Sequence, residues 1–250
     1  MKSVKDTLNC IGVNTNRNIS VLGELFGFLQ HRVPTDPNPS VKASVSVQAQ
    51  LRAMVGRHIH LNMITVGFDT LSATDRQNAA NKVDYAVYRT RNIFAPVALG
   101  VGRVEHYVIS AAESNGRDDL GSEGEADDLS DEWSVPNNGI DVFLVRNISD
   151  SDYIGISPRP GDCNKGDKDD GLIGGESNLG FESFSRTVAH ELGHFLDLSH
   201  NHGDSCPTTT DGQNNLMAQC RCALNSRTSV QLTSSQGSTM RDRCQVHSGC

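Results

Sequence analysis

A segment near the C-terminus, from Thr187 to His200, constrains this 250-residue chain more than any other part of it. It reads Thr-Val-Ala-His-Glu-Leu-Gly-His-Phe-Leu-Asp-Leu-Ser-His. On a helix, residues four apart lie on the same face, so His190 and His194 can offer two imidazole nitrogens to one metal ion. Glu191 is too close in sequence to His190 to be a third ligand. It is placed to act as a base on a metal-bound water.

A third ligand is expected, because catalytic zinc usually takes three protein ligands and keeps one position for water. On a continued helix, His200 would be rotated by about 240° from His194 and would point away from the metal. The chain must therefore turn between these two histidines. No glutamate occurs from Leu192 to Cys250, which removes the arrangement in which a later glutamate completes the site. The remaining candidates are His200, His202, His247 and a few aspartates.

A second motif, from Asn214 to Ala218, reads Asn-Asn-Leu-Met-Ala. Together with the histidine segment it resembles the metzincin family of zinc endopeptidases, in its reprolysin-like branch, which carries His-Glu-x-x-His-x-x-Gly-x-x-His. The resemblance implies that zinc is bound by three histidines and that a glutamate is the catalytic base. It also implies a methionine turn beneath the zinc. The corresponding residues here are His190, His194 and His200 for zinc, Glu191 for the base and Met217 for the turn.

Asp197 stands where the metzincin family has a glycine at the turn between the second and third ligands. Aspartate and asparagine tolerate left-handed backbone angles better than most residues, at about 1 kcal/mol. The turn is therefore expected without glycine. Met217 would supply a compact, polarisable thioether as the floor of the site.

The resemblance covers roughly residues 57 to 243 and implies an α+β zincin fold. We expect a twisted mixed sheet of about five strands, an active-site helix, the methionine turn and a C-terminal helix. Hydrophobic spacing and capping signals predict these elements individually. The predicted strands are 58–68 with one bulge, 104–110, 140–146, 153–157 and 171–175, and the predicted helices are 72–95, 181 onward and 233–243. Residues 117–133, with eight acidic side chains, are predicted to be a solvated loop.

The chain divides into an N-terminal extension or propeptide remnant, residues 1–50, and a catalytic domain with a cysteine-rich tail, residues 51–250. Five of the seven cysteines lie at position 206 or beyond, which favours disulfides and a secreted protein, although no signal peptide is visible. The pairing stays open. A net charge of −8 argues against a nucleic-acid partner, and no apolar run could span a membrane. We expect a monomer.

Two further regions carry predictions about binding. The resemblance implies that Tyr153, Ile154, Gly155 and Ile156 form the edge strand that pairs with an extended protein or peptide substrate. A nearby loop is rich in oxygen ligands and is a candidate calcium site, although it lacks the terminal glutamate of an EF-hand. Its candidate ligands are Asp162, Asn164, Asp167, Asp169 and Asp170.

The sequence thus favours a zinc-dependent endopeptidase in which Glu191 activates water. Two alternatives remain open. One is a catalytically inactive binding module that keeps the zincin fold, which the exchange of glycine for Asp197 favours. The other is an intracellular effector protease with one narrow target, which would fit the absence of a visible signal peptide.

Overall fold

The structure, a computed structural model, describes residues 56–149, 154–165, 171–175, 179–203, 205–219 and 222–249. The predicted N-terminal extension, residues 1–50, lies outside this range. So do Tyr153 of the predicted edge strand and three of the predicted calcium ligands, Asp167, Asp169 and Asp170.

Eight strands are present in the described residues. They are β1 (Arg57–Val66), β2 (Leu99–Ile109), β3 (Asp119–Leu120), β4 (Ile140–Val145), β5 (Asn147–Ile148), β6 (Gly155–Ile156), β7 (Gly171–Gly175) and β8 (His247–Ser248). The helices are α1 (Ala73–Phe94), α2 (Glu123–Glu132), α3 (Phe181–Phe195), α4 (Thr210–Asn214) and α5 (Ser234–Arg241), with short 3-10 turns at Phe68–Thr70 and Ala95–Val97.

The main sheet has six strands, one more than expected, and is mixed but mostly parallel. Its order is β2-β1-β4-β7-β6, and β8 pairs with β1. The pairs β1–β2, β1–β4 and β4–β7 are parallel, whereas β6 runs antiparallel to β7 and β8 antiparallel to β1. Strands β3 and β5 form a separate parallel pair. The molecule is therefore of mixed α+β architecture with β6 at one end of the main sheet.

Local sequence signals explain several element boundaries. The register of β1 shifts between Ile59 and Leu61, at the bulge predicted from the slipped alternation of apolar residues. Ser72 caps α1 by accepting a hydrogen bond from the backbone N–H of Asp75. Thr233 and Gln236 form the complete capping box that opens α5, so two orphan N–H groups are satisfied.

The acidic segment 117–133 is not a solvated loop, so that prediction is wrong. It contains β3 and α2, which Ser122 caps by accepting from the N–H of Glu125. Ala126 and Leu129 are buried in α2. Three- and four-residue spacing of these apolar positions with Trp133 supports a helix, and the acidic residues occupy its solvated face.

Two apolar clusters cover the two faces of the sheet. Helices α1 and α3 pack against one face of the sheet. Their side chains in this cluster include Val83, Phe94, Phe184, Val188 and Leu192. The opposite face of the sheet packs against α2 through Ile64, Phe143 and Leu129. Burial of its apolar stripe fixes α3 beneath the sheet, and its histidines then lie on an adjoining face.

Two disulfides are formed in the described residues, Cys163–Cys244 and Cys206–Cys222. The first joins the loop after β6 to the chain after α5, and the second closes the region around the methionine turn. Among the described residues, the helices are all too short or too polar to cross a membrane.

Candidate metal centre

Three histidine side chains converge at the C-terminal end of α3. His190 and His194 project from the helix, and the chain beyond it returns His200 to the same point. Their Nε2 atoms form a triangle, with 3.0 Å between His190 and His194, 3.2 Å between His194 and His200, and 3.3 Å between His190 and His200. A tetrahedral zinc with three imidazole ligands places the nitrogens about 3.3 Å apart. The three donors therefore fit a zinc ion in type and spacing.

The turn that brings His200 back is a Schellman motif centred on Asp197. Its φ angle is 75°, in the left-handed region. The N–H of Asp197 donates to the carbonyl of His194 at 2.8 Å, and the N–H of Leu198 donates to the carbonyl of Gly193 at 2.9 Å. These are the two hydrogen bonds that define the motif. Helix α3 thus ends at the point where a continued helix would have carried His200 away.

Backbone carbonyls orient the first two rings. The Nδ1 atom of His190 lies 2.7 Å from the carbonyl oxygen of Leu216, and Nδ1 of His194 lies 2.7 Å from that of Leu198. A carbonyl can only accept, so both rings carry their proton on Nδ1 and present an Nε2 lone pair. The side-chain amide of Gln219 lies 3.5 Å from Nδ1 of His200.

Burial also keeps the first two imidazoles neutral. Burial, with a smaller contribution from the neighbouring histidines, lowers the pKa of His190 to about 3 and the pKa of His194 to about 4. Both imidazoles are therefore neutral near neutral pH, with one proton on Nδ1 and a free lone pair on Nε2. A metal ion would not have to displace a proton from either ring.

Glu191 lies beside this triad and is almost completely buried. Burial raises the pKa of Glu191 to about 8, while the positive charge of Arg186 acts in the opposite direction. Its carboxylate packs against the backbone of the edge strand. A Cβ atom added to Gly155 would lie 2.6 Å from Oε1 of Glu191 and 2.8 Å from Cγ2 of Thr187. Only glycine allows β6 to approach α3 this closely.

Met217, which the sequence predicted as the floor of the site, is fully buried. Its N–H donates to the side-chain oxygen of Asn215 at 2.9 Å, and the N–H of Ala218 donates to the carbonyl of Asn215 at 3.1 Å, which closes a tight turn. The sulfur faces α3 at Gly193, where an added Cβ would lie 2.6 Å from Sδ. A glycine between His190 and His194 therefore lets the thioether pack directly against the helix.

The structure places the other candidates outside this centre. His202 is exposed, and its Nδ1 lies against the carbonyl of Asn201. Asp162 and Asn164 flank Cys163 in the loop after β6, where the N–H of Asn164 donates to Asp162. In the part of the chain that the structure describes, the histidine triad is the one group of side chains arranged to hold a metal ion. Calcium binding stays a prediction.

Sequence reasoning missed the carbonyl groups of Leu198 and Leu216, because a backbone acceptor leaves no mark in a side-chain motif. It also missed the packing of Gly155 against Glu191. A glycine between two isoleucines in a predicted strand was the available signal, since such glycines often mark a close approach.

Comparisons with known proteins add no family assignment. No protein-family model and no curated protein matches the chain. A solved structure described as "Structure of a chaperone-substrate complex" is similar over 76% of this chain, with 14% sequence identity and a TM-score of 0.42. The match spans only 34% of that structure's chain. A likeness this distant indicates neither fold family nor function.

Proposed function

We propose that the chain is a zinc-dependent endopeptidase of the metzincin type. The observation that carries the proposal is the triangle of three Nε2 atoms, 3.0–3.3 Å apart, next to a buried carboxylate. Three neutral imidazoles with an adjacent acid are the donor set of hydrolytic zinc sites. In this proposal His190, His194 and His200 hold the ion and Glu191 is the general base.

Zinc bound at such a site lowers the pKa of a water in its open position and polarises a carbonyl group. Glu191 would take the proton of the attacking water and deliver it to the leaving amine. Without a metal, burial raises the pKa of Glu191 to about 8; the positive charge of a bound zinc would lower this pKa toward the ionised form that a base requires. Leu216 and Leu198 would keep two ligand rings fixed throughout.

The substrate would be an extended peptide lying beside β6. This strand is at the end of the main sheet and pairs with β7 on one side. In the described residues no strand pairs with its other side, which would offer main-chain hydrogen bonds to a peptide. Extended peptides bind open sheet edges in this way. Because Gly155 packs on Glu191, a peptide on this edge would pass close to the proposed base.

The test combines zinc content with hydrolysis. Elemental analysis of the purified chain should give about one zinc per molecule, and cleavage of unfolded casein should be abolished by a chelator and restored by zinc. Glu191→Ala should keep zinc and fold but lose hydrolysis. Glu123→Ala, which changes an exposed glutamate on α2, is the matched control and should cleave like the parent. A Glu191→Ala chain as active as the parent would sink the mechanism.

The inactive binding module is less well supported than the enzyme. Its motivation was Asp197 at the glycine position, and Asp197 adopts the required left-handed angle. Zinc at one per chain without cleavage of a broad peptide library would nevertheless favour it.

A secreted location is part of the proposal. The disulfides Cys163–Cys244 and Cys206–Cys222 fit an oxidising compartment. Thiol titration of the native chain should then find about one free thiol among seven cysteines. Four or more free thiols would favour the intracellular effector protease instead.

A further inference from the structure

Arg186 is a buried charge one helical turn before the first zinc ligand. It lies in α3, four residues before His190 and therefore on the same helical face. The residue is only 3% exposed. A guanidinium removed from water is costly unless its N–H groups find acceptors, so its partners should reveal why the helix carries it.

Three backbone carbonyls in and after the methionine turn accept hydrogen bonds from Arg186. Its Nε donates to the carbonyl of Ser229 at 2.8 Å, and its Nη2 donates to the carbonyl of Leu216 at 3.0 Å and to that of Ala218. The last two carbonyls flank Met217 on either side. One planar side chain thus joins α3 to both ends of the methionine turn.

One of these carbonyls connects Arg186 to the ligand ring. The oxygen of Leu216 accepts from Arg186 and also from Nδ1 of His190, at 2.7 Å. A carbonyl has two lone pairs and can serve both donors. The position of the Leu216 carbonyl, and therefore the orientation of the His190 ring, depends on the other contacts that hold the methionine turn in place.

We propose that Arg186 is a positioning residue for the metal centre. It fixes the backbone of the methionine turn, and the Leu216 carbonyl in turn fixes the tautomer and the orientation of His190. This proposal for Arg186 shares one assumption with the proposed function, namely that the three histidines bind zinc. It does not require that the chain cleaves peptides.

Lysine at position 186 keeps the positive charge but lacks the planar fork that reaches three carbonyls at once. Partners of this kind, acting behind the ligands, typically contribute 10- to 100-fold in metal affinity. We therefore expect Arg186→Lys to bind zinc about 10-fold or more weakly, measured by competition with a chromophoric chelator. The cobalt-substituted protein should show an altered d–d absorption spectrum, because the geometry of one ligand has changed.

Arg89→Lys is the matched control. Arg89 is also a buried helical arginine, and its guanidinium donates to the carbonyl of Arg227 and pairs with Glu182. It reaches no carbonyl of the methionine turn among its hydrogen bonds in the described residues. Arg89→Lys should lower stability to a similar extent, followed by chemical denaturation, but leave zinc affinity and the cobalt spectrum unchanged.

A measurement on the parent chain avoids any dependence on the folding of a variant. In the zinc-loaded protein, the imidazole Nδ1–H of His190 should give a slowly exchanging proton signal in NMR spectra, because the Leu216 carbonyl that accepts from it is held rigidly. The proposal is overturned by rapid exchange of that proton, or by zinc affinity and cobalt spectra of Arg186→Lys that match the parent. A parent chain that binds no zinc overturns both this proposal and the enzyme, whereas zinc binding without hydrolysis overturns the enzyme alone.

Discussion

Asp197 provides the most informative single substitution, because its backbone angle places both His194 and His200. With φ at 75° it occupies the left-handed C′ position of the motif that ends α3. The next residue, Leu198, supplies the carbonyl that accepts from Nδ1 of His194 at 2.7 Å. Replacing Asp197 by glycine should preserve this geometry, whereas replacing it by valine should oppose it.

The expected magnitudes follow from three terms. Glycine relieves about 1 kcal/mol of left-handed backbone strain. It also lowers stability by roughly 0.5–1 kcal/mol, because the unfolded chain becomes more flexible. It also removes the ion pair between the Asp197 carboxylate and Arg243, 3.5 Å apart and partly exposed, which contributes at most about 1 kcal/mol. Asp197→Gly should therefore change the free energy of unfolding by less than about 1 kcal/mol. Asp197→Val forces a β-branched residue into the same angle and should lose roughly 1–3 kcal/mol.

Denaturant unfolding and zinc competition together provide the assay. Asp197→Gly should bind zinc like the parent, and Asp197→Val should bind it about 10- to 100-fold more weakly because the Leu198 carbonyl is displaced. Asn115, also left-handed with φ at 53° and exposed, supplies the control. Asn115→Val should lose similar stability without changing zinc affinity. Unchanged zinc binding in Asp197→Val, or lost zinc binding in Asp197→Gly, would refute this reasoning.

Three further predictions concern packing, pH and a disulfide. Gly193→Ala places a Cβ 2.6 Å from the sulfur of Met217, so it should lose about 1–3 kcal/mol in denaturant unfolding; unchanged stability would contradict the proposed close packing. In the metal-free protein, Glu191 has its pKa raised to about 8, so between pH 4.5 and 8 the unfolded chain binds fewer protons and stability falls as pH rises. Glu191→Gln should therefore be more stable than the parent by roughly 3 kcal/mol at pH 7 and roughly 1 kcal/mol at pH 5, and an advantage that grows on acidification would show the sign to be wrong. Replacing Cys163 and Cys244 by serine removes a link across 81 residues and should cost roughly 4 kcal/mol, seen as a lower melting temperature than that of the parent under oxidising conditions.

The sequence could predict the parts of the structure that depend on side-chain type and spacing. Histidines at 190 and 194 share a helical face in any helix, and the bulge in β1 follows from the slip in its apolar alternation. The N-cap at Ser72 and the capping box at Thr233 mark helix starts by local hydrogen bonding alone. These features involve neighbours within a few residues, so no knowledge of the tertiary fold is needed.

Features that depend on distant backbone contacts could not be predicted. The three carbonyl groups that accept from Arg186 lie 30 to 43 residues away along the chain, and no motif links an arginine to carbonyl groups. Helix α2 was missed because eight acidic residues masked a short apolar stripe, and β2 begins at Leu99, five residues before the predicted start. The two disulfide pairings also depend on how loops approach in space.

The coordination of the bound metal tests the central claim most directly. X-ray absorption at the zinc edge of the purified, zinc-loaded chain should show three imidazole nitrogens at about 2.0–2.1 Å, with one further light-atom ligand. This is the result expected if His190, His194 and His200 meet at one ion. Sulfur at about 2.3 Å, or a shell of oxygen atoms with fewer than three imidazoles, would contradict the account.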